Sequence, residues 1–122
     1  MDFTDHKPIY LQMADRLMDD IAADIYISEA RIPSVREYAM KLGVNTNTAM
    51  KAYDELSRMN IIYNKRGLGY FVTYGAKDEI IRQRKQEFFD VTLRQLYHEM
   101  SLLNLSVEEV AAELDKLNSQ QA

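Results

Sequence analysis

One stretch, PSVREYAMKLGVNTNTAMKAYDEL, constrains the fold of this chain more than any other. Ser34 and Glu37 have the S-x-x-E spacing of a capping box, which starts a helix. Gly43 suits the left-handed turn that ends it, and Asn45 suits the N-cap of a second helix. We therefore predict helices over about 34–42 and 46–59, with apolar faces formed by Val35, Tyr38, Ala39 and Leu42, then by Ala49, Ala52, Tyr53 and Leu56. Two short helices joined by a three-residue turn with glycine match the helix-turn-helix pattern, which many helical hairpins share.

A basic hairpin is predicted directly after these helices. Two β-rich runs, Ile61–Asn64 and Tyr70–Tyr74, flank the five residues Lys65 to Gly69. A short loop that contains glycine between two such runs is typical of β-hairpins. Because the hairpin follows a helix-turn-helix, the combination indicates a winged helix.

Helical periodicity continues on both sides of this region. Pro8 suits the first turn of a helix over about 8–23, and downstream the sequence is helical again from Ala76. The upstream helix has apolar residues every four positions, at Ile9, Met13, Leu17, Ile21 and then Ile25. The downstream part carries one long apolar stripe, formed by Phe89, Leu93, Leu96, Met100 and Leu103. Ser106 and Glu109 form another capping box and open a last helix.

These elements together give a fold class and two domains. We predict a mainly α protein with a small β-hairpin wing. A winged helix-turn-helix domain spans residues 1–75, and a two-helix C-terminal dimerisation element spans residues 76–122.

Size and residue types exclude several classes of protein. A chain of 122 residues leaves no room for a large catalytic fold, and no catalytic set of side chains is evident, so we expect no enzyme. There is no cysteine, and His6 and His98 are too far apart in sequence to have metal-ligand spacing. We therefore predict no cofactor and no metal. No segment resembles a signal peptide or a membrane helix, so we expect a cytoplasmic protein without membrane contact.

Charge is distributed unevenly along the chain. The formal net charge is −4, yet residues 31–75 carry seven Lys and Arg against three Asp and Glu. The segments on both sides are acidic. This pattern indicates one positive surface on an otherwise acidic protein, and the local field governs binding more than the total charge does.

Three ordered motifs resemble the GntR family of bacterial transcription regulators: PIYLQMADRLMDDI, IPSVREYAMKLGVNTNTAMKAYDELSRMNII and KRGLGYFV. The form VNTNTAMKAY and the short helical C-terminal element are similar to its YtrA-type subfamily. Between the first two helices, relatives usually have glycines where this chain has Asp24 and the pair Ser28-Glu29. The wing, which usually ends in Gly-Thr-Phe-Val, here reads Gly-Tyr-Phe-Val.

The resemblance implies a homodimeric repressor or activator that binds a two-fold operator in double-stranded DNA, and we expect a repressor. It assigns Arg36 to bases or phosphates, the polar quartet Asn45–Thr48 to the major groove and Gly67 to the minor groove. Many relatives have Arg where this chain has Thr46, so strong guanine reading at that position is not implied.

The residue types fit this role. Asn can pair with adenine, Thr can contact the thymine methyl group, and Lys can reach guanine or phosphate. Tyr53, in contrast, is predicted to be a core residue and not a platform for base stacking. The predicted DNA-binding set is Ser34, Arg36, Asn45, Thr46, Asn47, Thr48, Lys51, Lys65, Arg66 and Gly67.

Two alternatives remain at the level of sequence. The apolar stripe is predicted to pair with a second copy of the chain, but the C-terminal helices could instead fold back on their own winged helix. A winged helix can also dock a protein partner without specific DNA binding. A small-molecule effector is not evident, because the C-terminal element has little room for a cavity of several hundred cubic ångströms.

Overall fold

The computed structural model describes residues 7–121, which form two compact units. We call the unit up to Gln83 the head and the unit from Arg84 the tail. The elements in chain order are α1 (Ile9–Ala22), α2 (Val35–Leu42), α3 (Thr46–Arg58), β1 (Ile62–Lys65), β2 (Gly69–Val72), α4 (Ala76–Glu87), α5 (Leu93–Leu103) and α6 (Val107–Gln121). A π-helical segment, Phe88–Thr92, joins α4 to α5. The predicted fold class is confirmed.

The core of the head lies where α1, α2 and α3 pack together. The buried faces of α2 and α3 consist of the eight apolar residues that their periodicity predicts. α1 begins and ends within one residue of the predicted bounds, 8–23, but the first and last residues of its apolar series at four-residue spacing are exposed, Ile9 to 45% and Ile25 to 63%. Ile9 lies in the first turn, and Ile25 lies beyond the last helical residue, Ala22. The face of α1 that is buried consists of Met13, Ala14, Leu17, Met18 and Ile21.

Local signals fix the turn between α2 and α3. Ser34 and Glu37 form the predicted capping box, in which each residue's side chain accepts a hydrogen bond from the backbone N–H of the other. Gly43 ends α2 in the left-handed conformation, with φ of 67°. The side chain of Asn45 then caps α3 by accepting a hydrogen bond of 2.7 Å from the Asn47 backbone. These contacts set the direction of α3 as it leaves the turn.

The wing is a two-stranded antiparallel hairpin, and one isolated bridge joins it to the segment before α2. Its register pairs Ile62 with Val72 and Lys65 with Gly69, so the strands begin and end one or two residues away from the predicted positions. A third segment joins β2 through a bridge between Arg31 and Phe71. Long-range pairing of this kind leaves no local sequence pattern.

The connection between α1 and α2 contains two left-handed residues that are not glycine. Asp24 has φ of 63° and Glu29 has φ of 70°. The family resemblance implies glycine at both positions, and the backbone there adopts the left-handed conformation that glycine favours. A side chain in this region costs about 1 kcal/mol or more.

The core of the head includes the first turns of α4. Ala76 and Ile80, in the first turns of α4, are buried in the same core as α1 to α3. The compact unit therefore ends at Gln83.

The tail has no buried side chain among its described residues, 84–121. Asn104, with φ of 59°, ends α5, and the Ser106 hydroxyl accepts a hydrogen bond of 3.1 Å from the Glu109 backbone at the start of α6. Its helices are therefore well capped but leave their apolar side chains largely in contact with solvent. None of the helices in the described part of the chain is both long and apolar enough to cross a membrane.

Candidate nucleic-acid interface

The N-terminal turn of α3 presents short uncharged side chains to solvent. Thr46 and Asn47 are exposed, and the first turn contains no acidic residue. Thr48 is half-buried, whereas Lys51 is exposed one turn further along the helix. A helix N-terminus has unpaired N–H groups and a partial positive charge, so this end of α3 is suited to a negatively charged partner.

Asn45 and Asn47 have different roles in this turn. The side-chain oxygen of Asn45 is occupied by the cap. Asn47 is exposed, and no hydrogen bond that we observe within residues 7–121 involves its side chain. Asn47 is therefore the amide that is best placed to contact a base edge.

The start of α2 likewise combines a capping side chain with an exposed one. The Ser34 hydroxyl accepts a hydrogen bond of 3.1 Å from Glu37 N, so its main role is to cap the helix. Arg36, in the first turn of α2, is exposed. The cap holds the backbone that carries Arg36 in a fixed position.

The wing carries the predicted cations on an exposed tip. Arg66 and Gly67 are exposed, and Gly67 has φ of 80°, a conformation that favours glycine. The Lys65 ammonium group lies 4.8 Å from the centre of the Phe71 ring, and Phe71 is stacked on Tyr63. Lys65 is therefore held over the surface of the hairpin by a cation–π contact.

Three tyrosines connect α2, α3 and the wing. Tyr53 on α3 is fully buried, as predicted, and its hydroxyl donates a hydrogen bond of 2.5 Å to the Pro33 carbonyl just before α2. The Tyr53 ring meets the edge of Tyr70 in β2 at 5.0 Å and lies 5.9 Å from Tyr38 in α2. The elements that carry the predicted DNA-binding residues are thus held together by the contacts of Tyr53. Periodicity alone identified Tyr53 as core but gave no sign of its bond to Pro33.

Three side chains of these elements, Tyr38, Tyr53 and Glu37, have shifted pKa values. Burial raises the pKa of the Tyr38 and Tyr53 hydroxyls above its ordinary value of 10.0, which favours further the neutral form that donates hydrogen bonds. The pKa of Glu37 is lowered, mainly by its hydrogen bond from the Ser34 backbone and to a lesser degree by Arg31. Glu37 therefore stays ionised at the positive end of α2, where a negative charge is stabilising.

The tail contains an open apolar groove of about 690 Å³ between α5 and α6, which we call the tail groove. Four residues of the predicted stripe line it, and the fifth, Leu103, lies outside. The stripe residues are Phe89, Leu93, Leu96 and Met100, and they face Val107, Val110, Ala111 and Leu114 of α6. The groove between the two helices is open to solvent and is not an enclosed cavity. The expectation that the C-terminal element has little room for a small-molecule cavity therefore stays a prediction.

The described residues offer no metal site. No three His, Asp or Glu side chains between residues 7 and 121 lie close enough together to hold a metal ion. His98 lies on α5, and His6 is outside the described residues.

A family model matches this arrangement directly. The model of bacterial regulatory proteins of the gntR family matches residues 9–72, which include α1, α2, α3 and both strands of the wing. The chain belongs to the GntR family. It is accordingly a DNA-binding transcriptional regulator and not an enzyme.

Individual GntR proteins show the same relationship over most of the chain. The HTH-type transcriptional repressor YtrA of Bacillus subtilis is 31% identical over 103 residues, which cover 84% of this chain and 78% of that protein. A solved GntR regulator from Bacteroides thetaiotaomicron has a TM-score of 0.80 and 41% identity, and the match covers 93% of this chain and 99% of that one. The AraR DBD in complex with operator ORX1 has a TM-score of 0.55 and 25% identity, with 59% of this chain and 93% of that one covered.

Proposed function

We propose that this GntR regulator is a homodimeric repressor that binds a two-fold DNA operator through the predicted set of DNA-binding residues. In this proposal α3 of each head enters a major groove, and each wing contacts the neighbouring backbone or minor groove. The observation that carries it is the exposed, uncharged first turn of α3, in a head that also exposes Arg36 and the basic wing. An α-helix fits the major groove, where each base pair presents a distinct pattern of donors and acceptors.

The chemistry of the first turn supports base reading. Thr46 and Asn47 are short, so the backbone of α3 can come close to the DNA without displacing a long side chain. Arg36, Arg66 and Lys65 supply cations at other points of the head, where phosphate contacts would fix its register on the duplex. One head reads only a few base pairs, so a specific site needs two copies.

The tail groove supports the homodimer. Its apolar lining has no cover within the described tail, and exposed apolar surface of this kind marks association sites. A second copy would present the same groove and could bury both stripes together. We propose that the protein acts as a repressor because it is similar to YtrA, which is named a repressor.

Selection of bound duplexes from a random DNA pool tests the operator. We expect a motif with two-fold symmetry, whose half-sites are centred about one or more helical turns apart. Binding to it should weaken steeply with added salt, because phosphate contacts release counterions. If no motif is enriched and binding is insensitive to salt, the head is a protein-docking module instead.

Base reading is tested by Asn47→Ala. The substitution should cost roughly 1–3 kcal/mol of binding free energy on the selected operator and little on random DNA, as measured by fluorescence anisotropy. Asn118→Ala is the control, because it removes an exposed amide from α6 in the tail. Equal losses of Asn47→Ala on both duplexes would exclude a base-reading role.

The dimer is tested with a pair of substitutions in the tail groove, Leu96→Asp and Met100→Asp. Size-exclusion chromatography with light scattering should show a dimer for the parent chain and a monomer for this variant. The control, Gln95→Asp with Leu102→Asp, adds the same two charges to α5 at positions that do not line the groove. A groove variant that stays dimeric would assign the interface elsewhere. A parent chain that is monomeric would favour helices that cover their own stripe.

Transcription in vitro tests the sign of regulation. A template with the selected operator across its promoter should give less transcript as the protein is added. An increase would identify an activator.

A further inference from the structure

The root of the wing holds an arginine that the sequence patterns do not single out. Gly69, the first residue of β2, has φ of 109°. A Cβ atom on Gly69 would lie 3.2 Å from Nε of Arg31 and 3.6 Å from its Nη2. The guanidinium group of Arg31 therefore packs against the bare backbone of Gly69, in the space that any other residue would fill.

The backbone around Arg31 is held against β2 by an isolated bridge to Phe71 and by flanking hydrogen bonds. Ile32 N donates to the Tyr70 carbonyl at 3.0 Å, and Val72 N donates to the Ala30 carbonyl at 2.9 Å. Because Arg31 is bridged to Phe71, the two side chains project from the same face of the sheet. Lys65 lies over Phe71 on that face as well, so the face carries two cations.

The charge of Arg31 is available to a ligand. Arg31 is exposed, and no ion pair found within residues 7–121 includes it. Glu37 is close enough to feel its charge, but one Glu37 oxygen accepts the hydrogen bond from Ser34 N at 3.0 Å. The capping box thus holds the neighbouring carboxylate, and Gly69 holds the guanidinium group in place.

We propose that Arg31 binds a phosphate of the operator backbone, between the site of α3 and the site of the wing, and that Gly69 is the residue that positions it. This inference rests on the operator binding proposed above. Arg31 lies three residues before the N-cap of α2, the helix that leads into α3, and it is bridged to β2 of the wing. It therefore lies in the segment that links the helix-turn-helix to the wing. A guanidinium group offers two parallel N–H donors to phosphate, and such contacts set position without reading sequence.

The test is the salt dependence of DNA binding by Arg31→Gln in the full chain. The logarithm of the DNA-binding constant falls linearly with the logarithm of the salt concentration. In Arg31→Gln the slope should be less steep than in the parent by about one unit per protomer, hence by about two per dimer. Affinity should fall by the same factor on the selected operator and on a random duplex. Arg31→Lys should keep the parent slope, because it retains the charge.

Arg58→Gln is the matched control. Arg58 is an exposed arginine at the opposite end of α3 and is paired with Glu55, so its removal should leave the slope unchanged. Circular dichroism of Arg31→Gln confirms that the variant is folded, and Arg31→Ala provides a second reading of the same slope.

The outcomes separate this inference from the proposed function. If the parent binds its operator with a steep salt dependence and both neutral variants keep that slope, Arg31 does not bind phosphate and the operator proposal stands. A loss confined to the selected operator would also overturn the inference, since it would indicate base reading. If the parent binds no duplex at all, the operator proposal itself is wrong.

Discussion

The head and the tail of this protein use apolar residues in opposite ways. In the head, α1 to α3, the wing and the start of α4 share one core, and Tyr53, Leu17 and Leu56 are completely buried. In the tail, side chains of the same kind remain exposed, such as Leu102 at 72% and Leu114 at 57%. The apolar residues of the head are therefore buried against other parts of the head. Those of the tail are not buried within the tail and remain available to a partner.

This difference shows that helical periodicity predicts an amphipathic face but not what that face contacts. The stripes of α3 and α5 look equivalent in sequence. The face of α3 is buried by other parts of the same chain, and the face of α5 lines an open groove. An apolar stripe in a short C-terminal element is therefore a signal of association as much as of folding.

The largest expected effect comes from separating the two units. A fragment of residues 1–83 should unfold cooperatively at a temperature that does not depend on its concentration. A fragment of residues 84–122 should lose most of its helicity on dilution, because short helices without a core are marginal in water. Circular dichroism at a series of concentrations measures both. A tail fragment that stays helical at high dilution would contradict the comparison.

Truncation of a leucine should lower the free energy of unfolding more in the head than in the tail. Leu56→Ala should lower the free energy of unfolding by about 3 kcal/mol, because it leaves a cavity in the packed head. Leu102→Ala in the tail should change it by less than about 0.5 kcal/mol. Urea denaturation at a fixed protein concentration compares the two. Equal losses would mean that Leu102 is covered in solution.

Loss of a helix cap should have a moderate effect. Ser34→Ala removes the hydroxyl that accepts a hydrogen bond from Glu37 N and should lower the stability of the head by about 1 kcal/mol. Ser34→Asp should retain most of the stability of the head, because aspartate also caps helices. Thermal unfolding of both variants measures the difference.

The backbone strain in the connection after α1 predicts a still smaller change with the opposite sign. Glu29→Gly should stabilise the head by about 0.5 kcal/mol, since glycine adopts φ of 70° without strain but loses more entropy on folding. Glu29→Ala is the control and should give no gain. Asn104→Gly in the tail should gain less than Glu29→Gly, because asparagine tolerates the left-handed region. A destabilised Glu29→Gly variant would show that the side chain itself is needed.

The pH dependence of the α2 cap is the finest of these tests. The pKa of Glu37 lies below its ordinary value of 4.5, so its contribution is complete above that value and is lost as the pH falls through the lowered pKa. The difference in stability between the parent and Glu37→Gln should therefore stay constant between about pH 8 and 6 and shrink below about pH 4. A difference that persists in acid would mean that the charge is not responsible.

Much of the head could be predicted because its signals are local. Ser34, Gly43 and Asn45 mark helix ends within a few residues of the bonds they make, and the structure places caps at all three. The limits of the strands, the exposure of Ile25 and the end of the head at Gln83 depend on packing between distant segments.

The candidate site also contains residues that could be predicted from local sequence and residues that could not. The exposure of Asn45, Thr46 and Asn47 follows from the face that the core leaves free, but Arg31 was missed. Its contact with Gly69 joins residues that are far apart in sequence, and neither one belongs to a periodic pattern.

The bond from Tyr53 to Pro33 and the contact of its ring with Tyr70 bear on how the regulator can adapt to DNA. The Tyr53 side chain ties α3, the helix that we propose reads the operator, to both the entry of α2 and the wing, so a shift of one of these elements would strain its contacts with the others. A half-site with altered geometry would have to bend towards the protein, and the cost of that distortion would fall on the duplex. Operators that differ in stiffness at bases the protein never touches should therefore differ in occupancy.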